Sequence, residues 1–574
     1  MKDMKSYQEY LSKPAISVTR KSTLLLTLPV FGLLLWLVVY PNLFVLYKSL
    51  FSDNQFTLTH YGDFFNSPSQ MEALGNSLLI SLGSVLLSAL IGIPLAFVFH
   101  RFDFPGRRIF AALASLPVLL PPLVGVIAFL FLYGESGILT RIVQTLLRLA
   151  EPPFSLRGIP AILCVHAYTM YVYFYLFVSA ALKRMDESLW EASLSLGASR
   201  VRTFLLVTLP VLTPAIVGAA LLTFMTSMAS FSAPYIFGGG IRVLSLQIYN
   251  SKLNGDLEMA LTETVILTLV SLLFLILLQR YEATGKYRAV GKGFSPSLRP
   301  LQGKGLRLTM AVLGVSAVLL LLLPHLTLVL ISFSQDGTWT TEILPPRYTT
   351  ANYQRLLADD RFLEPIFNSL KMATLATAAN LAFALAGGWL LIQKKLRGRR
   401  LLSTLTLLPW ALPGTVVALN LATTFSTWDP LQARVLLVGT FWILPLAYFI
   451  RNIPLVVRAV QAGFEQLDPN LHWAARSLGA SWFYGLRRIL LPLLLPAAAA
   501  GSMLAFVSAL GEFVSSIVIY TVDSRPISVE ILAQLRQFNF GSAAAYGVLL
   551  ILMIASVFFL FGRYLDERHR PTGH

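Results

Sequence analysis

Glu191-Ala-Ser-Leu-Ser-Leu-Gly197, followed by Val207-Thr-Leu-Pro210, is echoed by Trp473-Ala-Ala-Arg-Ser-Leu-Gly479, followed by Ile489-Leu-Leu-Pro492. In both, the glycine stands six positions after the first residue, and the aliphatic residue stands ten after the glycine. A polar, alanine-rich turn repeated at fixed spacing in a very apolar chain predicts two equivalent docking sites. The chain reads as a two-fold device driven by a partner that meets both halves.

The repeat extends outward from these turns. Asn76-Ser77-Leu78 returns as Asn368-Ser369-Leu370, Arg107-Arg108 as Arg399-Arg400, Leu116-Pro117 as Leu408-Pro409, and Pro121 as Pro413, all offset by 292. The turns themselves are offset by 282, so the second half is shorter by ten residues after its third apolar run. This divides the chain into a first repeat at 1–280, a connector at 281–307 and a second repeat at 308–574, with the turns at about 186–210 and 468–492. The connector is basic and rich in Gly and Pro, the composition of an exposed link. Its Gly285 and Gly291-Lys292 lack the spacing and the Ser/Thr of a phosphate-binding loop.

Hydrophobic residues make up 56% of 574 positions and charged residues 13%, about half the charged share of a soluble protein. Apolar runs of bilayer-spanning length recur. They fall at 23–46, 76–99, 109–132, 159–182, 207–233, 259–279, 308–333, 368–393, 401–426, 433–456, 489–520 and 542–562. The expected fold is all-α and polytopic: about twelve spans in two parallel six-helix repeats, related by an axis along the membrane normal. Most Lys and Arg fall in one alternating set of connecting segments, while the other set and the spans carry more acidic than basic residues. The positive-inside bias then places both termini and both turns in the cytoplasm. This bias accounts for the net charge of +17, and no nucleic-acid recognition module is present. Segment 133–158, assigned outside, carries Ile138, Ile142, Leu146 and Leu149 at the spacing of an amphipathic surface helix. A lone Cys164 excludes an intramolecular disulfide framework. Cys164 and His166 sit two apart, poor geometry for a shared helical face, and no metal site is expected.

Each turn reads as an elbow lying along the cytoplasmic face. In 186–196, Leu189, Ala192 and Leu196 share one helical face, and Asp186 and Glu187 favour the N-terminus. Gly197 suits a left-handed C-cap, and Leu209-Pro210 starts or kinks the next helix. The second copy repeats this with Leu478, Gly479 and Pro492.

The pattern Glu-Ala-Ala, three residues, Gly, nine residues, Ile, one residue, Leu-Pro resembles the coupling motif of bacterial ABC importer permeases. It is matched at Glu191, Ala192, Gly197, Val207, Leu209 and Pro210, and again at Ala474, Ala475, Gly479, Ile489, Leu491 and Pro492. Ser193 departs from the second Ala and Trp473 from the Glu, which makes the elbows unequal. The resemblance implies a bacterial inner-membrane subunit without catalytic residues or cofactor of its own. Two copies of an ATPase subunit would carry ATP-Mg and grip the elbows, and a periplasmic or lipid-anchored binding protein would deliver solute. The fused two-repeat form is similar to ferric-iron transport permeases, and the stretch Trp339 to Leu356 resembles that branch too; thiamine, phosphonates and polyamines are the alternative solutes. For the pathway, Glu512 is an ionisable group within the eleventh span, its repeat partner is Ser230, and Phe231 and Phe513 stand at equivalent positions to form a symmetric gate. A self-contained secondary transporter is the rival class; it would need more intramembrane charge than Glu512 provides.

Overall fold

The computed structural model describes residues 20–52, 55–154, 156–283, 299–300, 303–339, 342–392, 396–426, 435–468 and 470–569. The glycine–lysine stretch of the connector lies outside them. Strand is confined, among the described residues, to the two-residue pairs Phe51–Ser52 with Gln55–Phe56 and Phe102–Asp103 with Arg299–Pro300. Everything else that is regular is helix.

The first half runs α1 (Leu26–Leu50), α2 (Pro68–Arg101), α3 (Arg107–Leu113), α4 (Pro122–Tyr133), α5 (Gly158–Arg184), α6 (Glu187–Ser195), α7 (Leu209–Met228), α8 (Ser232–Phe237), α9 (Leu244–Leu253) and α10 (Leu257–Ala283). The second half runs α11 (Lys304–Ser332), α12 (Asp360–Ile392), α13 (Arg399–Ala411), α14 (Gly414–Thr424), α15 (Ile443–Gln466), α16 (Asn470–Ser477), α17 (Leu491–Leu510), α18 (Val514–Ile519), α19 (Ile527–Arg536) and α20 (Phe540–His569). Helix α1 answers α11, α2 answers α12, and so on to α10 and α20. Among the described residues eleven helices are long and apolar enough to cross a membrane, and a twelfth span results if the bent pair α13–α14 is counted as one.

Four expected spans need correction. The runs at 109–132 and 401–426 are not straight: α13 and α14 meet at 104°, and α3 is separated from α4 in the same way. Leu120 and Leu412 are extended (ψ 116° and 123°) because each precedes a proline, Pro121 or Pro413, whose ring clashes with an α conformation there. The run at 489–520 ends as a helix at Leu510, and α18 begins separately at Val514. The run at 433–456 is observed displaced toward the C-terminus, as α15. The amphipathic segment is present as the helix Ile138–Leu146.

Proline also shapes the long helices. The π turns Leu35–Val39, Phe204–Thr208 and Leu486–Leu490 each end one residue before a Leu-Pro or Tyr-Pro pair, at Pro41, Pro210 and Pro492. Proline lacks an N–H and crowds the carbonyl four residues earlier, so the helix widens by one residue there instead of breaking.

The interior is built chiefly from α4, α5 and α15. Within their most apolar windows α15 is 72% buried, whereas the span formed by Arg200–Met228 is 17% buried. Helix α2 packs along α5 and α12 along α15. Gly92 permits the first approach, since a Cβ there would lie 2.4 Å from the Tyr171 carbonyl oxygen. The leading helices exchange: α1 lies against α14 of the opposite half, and α11 against α4. Asn420 donates to Asn42 across the first of these contacts at 2.9 Å.

The repeated Asn-Ser pair has a structural task. Ser77 Oγ accepts from the Leu244 N–H at 2.9 Å, the first residue of α9, and Asn76 donates to the Arg242 carbonyl at 3.0 Å. In the second half Ser369 Oγ accepts from Ile527 N–H at 2.8 Å, opening α19, and Asn368 donates to the Asp523 carbonyl at 3.2 Å. Leu244 and Ile527 are fully buried, so these N–H groups have no access to water. Ser77→Ala or Ser369→Ala should each lower stability by about 1–3 kcal/mol, and the double variant should lose roughly the sum. Thermal midpoints in detergent check this; unchanged midpoints in all three would show that the two hydroxyls are not the essential acceptors.

Candidate functional site

Helix α6 starts where the Asp186 carboxylate accepts from Ser188 N–H at 3.0 Å. It stops at Gly197, which has φ +82°; Gly479 has φ +83°. Ala198 N–H reaches the Ser193 carbonyl at 3.2 Å, and Ala480 N–H reaches that of Ala475 at 3.0 Å, the six-to-one bond of a left-handed glycine cap. Ser199 and Ser481 then cap the following turns, accepting from Arg202 N–H at 3.2 Å and Tyr484 N–H at 3.3 Å. The two elbows share one construction.

Their tips are leucines. Leu196 is 89% exposed and Leu478 88% exposed, beside Leu189 and Ala192 on an open apolar face. Both leucines stand almost fully solvated at equivalent positions of the two turns. Glu191 and Ala474 are exposed next to them, and Val207, Leu209 and Ile489 line the π turns. Leu491 and Pro492 open α17 as Leu209 and Pro210 open α7. Trp473 lies on α16; its side chain is outside the described residues.

The elbows differ within. Ser193 and Thr203 hydroxyls bond at 3.0 Å between the two arms of the first. Their counterparts are Ala475 and Gly485, both buried, so small-residue packing replaces a hydrogen bond. The first elbow is also tied to the end of α2, because the Arg101 guanidinium lies 4.3 Å from the Trp190 ring centre.

At the ends of α7 and α17 remote from the elbows, the structure brings Ser230, Phe231, Glu512 and Phe513 together. The Phe231 and Phe513 rings meet edge to face with centres 5.9 Å apart, and both are buried. Phe231 also stacks on Tyr235 at 5.4 Å. Two cations cross the seam nearby: Lys252 donates to the Val518 carbonyl, and Arg536 lies 5.3 Å from the Tyr235 ring centre. On the elbow side of the phenylalanines is a cavity of about 490 Å³ between the halves, lined in part by Tyr173, Thr226, Trp410, Pro413, Arg451 and Glu512.

Glu512 sits in the break between α17 and α18 and not within a helix, as the sequence had led us to expect. Its Oε1 accepts from Ser515 N–H at 2.8 Å, and its Oε2 pairs with Arg451 of α15. Its carbonyl accepts from Ser516 Oγ at 2.7 Å and Ser528 Oγ at 2.8 Å. In the first half Ser230 Oγ bonds His166 Nε2 at 2.8 Å, and His166 Nδ1 faces Ser84 at 2.8 Å and Ser227 at 3.1 Å. Arg451 and the serine-bound His166, which line this cavity, were not singled out from the sequence as pathway candidates. The signal for Arg451 was a lone guanidinium inside the apolar run Ile443–Val457; nothing in the sequence announced three serines converging on His166 from other helices. Among the described residues no three His, Cys, Asp or Glu side chains converge as metal ligands.

Comparison with known proteins accords with this geometry. The family model described as "Binding-protein-dependent transport system inner membrane component" matches residues 88–283 and again 380–571. The probable ABC transporter permease protein y4fN of Sinorhizobium fredii is 32% identical over 80% of this chain and 81% of its own length. The ferric transport system permease protein FbpB of Actinobacillus pleuropneumoniae is 26% identical over 94% of this chain and 78% of its own. The sulfate transport system permease protein CysT of Salmonella typhimurium is 33% identical over 48% of this chain and 98% of its own. Two matches of one family model, spaced as the elbows and prolines are, lead to one conclusion: the chain belongs to the binding-protein-dependent transport system inner membrane components, as a fused two-repeat ABC importer permease.

Proposed function

We propose that this permease carries ferric iron, delivered by an external solute-binding protein and driven by two ATPase subunits that hold one elbow each. The observation that carries the coupling role is the pair of equivalent elbows, each a glycine-capped turn with an exposed leucine at its tip. ATP binding draws the ATPase subunits together, the elbows follow, and α5 and α7 move with α15 and α17 to part the phenylalanine pair. Hydrolysis resets it. Glu191, Ala192, Ser193, Gly197, Val207, Leu209 and Pro210 serve this role in the first half. Trp473, Ala474, Ala475, Gly479, Ile489, Leu491 and Pro492 serve it in the second, and both elbows and both termini face the cytoplasm of an inner membrane. Phe231 and Phe513 form the gate, with Ser230 and Glu512 beneath them. The chain performs no chemistry; ATP-Mg belongs to the partner.

Ferric iron is supported by the likeness to a ferric transport permease across 94% of the chain. The likeness of half the chain to sulfate permeases favours a second reading, an oxyanion importer.

Leu196→Asp and Leu478→Asp should each reduce ATP-dependent uptake about tenfold, since a fully buried leucine contact contributes about 1.5–3 kcal/mol. Co-purification with the ATPase should fall in parallel; full uptake by both variants would remove the elbows from the coupling path. Gly197→Val and Gly479→Val meet no neighbour within 4 Å, so their cost is backbone alone, about 1–2 kcal/mol against left-handed φ. They should leave insertion intact and let ATP hydrolysis run without transport, read as the ratio of phosphate released to solute moved. In proteoliposomes, iron-loaded binding protein should stimulate both ATPase and uptake; stimulation by thiamine with its binding protein, and none by iron, would replace the iron assignment.

A further inference from the structure

We propose that Arg451 is an oxyanion-reading station in the central cavity, and that the solute passes it carrying a carboxylate, phosphate or sulfate oxygen. This rests on the importer reading and names the chemistry the cargo presents at one residue.

The argument begins with the comparison of the two halves inside one chain. Four positions around the helix break change together. Thr169, Ser230, Ala233 and Pro122 of the first half stand where the second half has Arg451, Glu512, Ser515 and Gly414. The first set is neutral, with Ser230 held by His166 and Thr169 bonded to the Val165 carbonyl at 2.9 Å. The same backbone break therefore forms without an ion pair. Removing two charges from water is costly, and a buried pair is weak evidence of a stabilising purpose.

The second set is built around the guanidinium. A Cβ on Gly414 would lie 2.7 Å from Arg451 Nη1 and 3.0 Å from Val514 Cβ, so glycine lets the guanidinium sit where it does. Ser515 Oγ donates to the Gly414 carbonyl at 3.2 Å, closing the floor of this cradle. Glu512 is the deeper partner: its side chain is 10% exposed against 26% for Arg451. Both groups line the cavity, and the cation is the more exposed of the two.

That difference in exposure bears on the ligand. Besides Glu512 and the serine-bound His166, the lining supplies hydroxyls and apolar surface, and the Thr169 and Thr226 hydroxyls already donate to the Val165 and Leu222 carbonyls. The guanidinium is thus the main donor there, and its planar fork matches oxygen anions, which it binds through two parallel N–H groups. A bare cation at this point would face Arg451 directly. An arriving oxyanion shares the Arg451 guanidinium with Oε2, and Glu512 keeps its bond from Ser515 N–H, so the carboxylate is not left without a cation. When the oxyanion leaves, the pair stands alone again.

The test uses the complete complex with its ATPase and binding protein in proteoliposomes. The probes are labelled sulfate, labelled phosphate, and ferric citrate labelled separately on iron and citrate. Arg451→Gln/Glu512→Gln removes both charges at nearly constant volume and should lower uptake of the accepted probe by about tenfold or more. Arg451→Lys, which keeps charge and loses the fork, should fall between. Detergent melting of each variant, expected near wild type, separates this loss from misfolding. Uptake of sulfate or phosphate alone identifies a free oxyanion, and joint entry of both citrate-complex labels identifies an anionic chelate; either supports the station. Entry of iron without citrate, undiminished uptake by the double variant, or uptake of none of the probes overturns it. ATPase stimulation by a loaded binding protein is read in the same vesicles, and its absence in wild type strikes the importer reading itself.

Discussion

An apolar layer offers no water to a broken helix, so every interruption of the backbone within it must be satisfied by the protein. Both halves are interrupted twice, at the prolines before α4 and α14 and between α7 and α9 or α17 and α19. The second interruption is held by distant side chains, Ser77 and Ser369 at the N-termini of α9 and α19, and by local ones, Ser516 and Ser528 at the Glu512 carbonyl. These bonds hold the segments around the Phe231–Phe513 contact, and the cavity beside it depends on that satisfaction.

The two-fold plan and the departures from it have different physical origins. The elbows, π turns and Asn-Ser clamps recur because each meets the same backbone problem in each half. The exchange of α1 and α11 onto α14 and α4 then makes the halves one body, with the cavity at their seam. Departures fall at the elbows and at the cavity: Ser193–Thr203 stands against Ala475–Gly485, and Arg451–Glu512 against Thr169–Ser230.

The helical class, the duplication and the elbow chemistry were legible in the sequence because each rests on local rules. Apolar length, glycine at a left-handed cap and proline after leucine act within a few residues. The straightness of the spans was not legible from hydropathy, which averages over Pro121 and Pro413 and cannot register the extended residue before each. Glu512 was recognised as out of place, but its partner Arg451 lies 61 positions away and meets it only through the packing of α15 against α18.

The sequence by itself determined that this chain is a two-repeat, membrane-spanning helical protein with paired elbows, since composition, period and spacing are properties of neighbours along the chain. Only the tertiary structure decided that Phe231 touches Phe513, that Asn-Ser pairs cap helices more than 150 residues away, and that Arg451 and Glu512 pair in the lining of one cavity. Those are facts of long-range packing, where side chains from separate helices must share one dry volume and satisfy one another's polar groups.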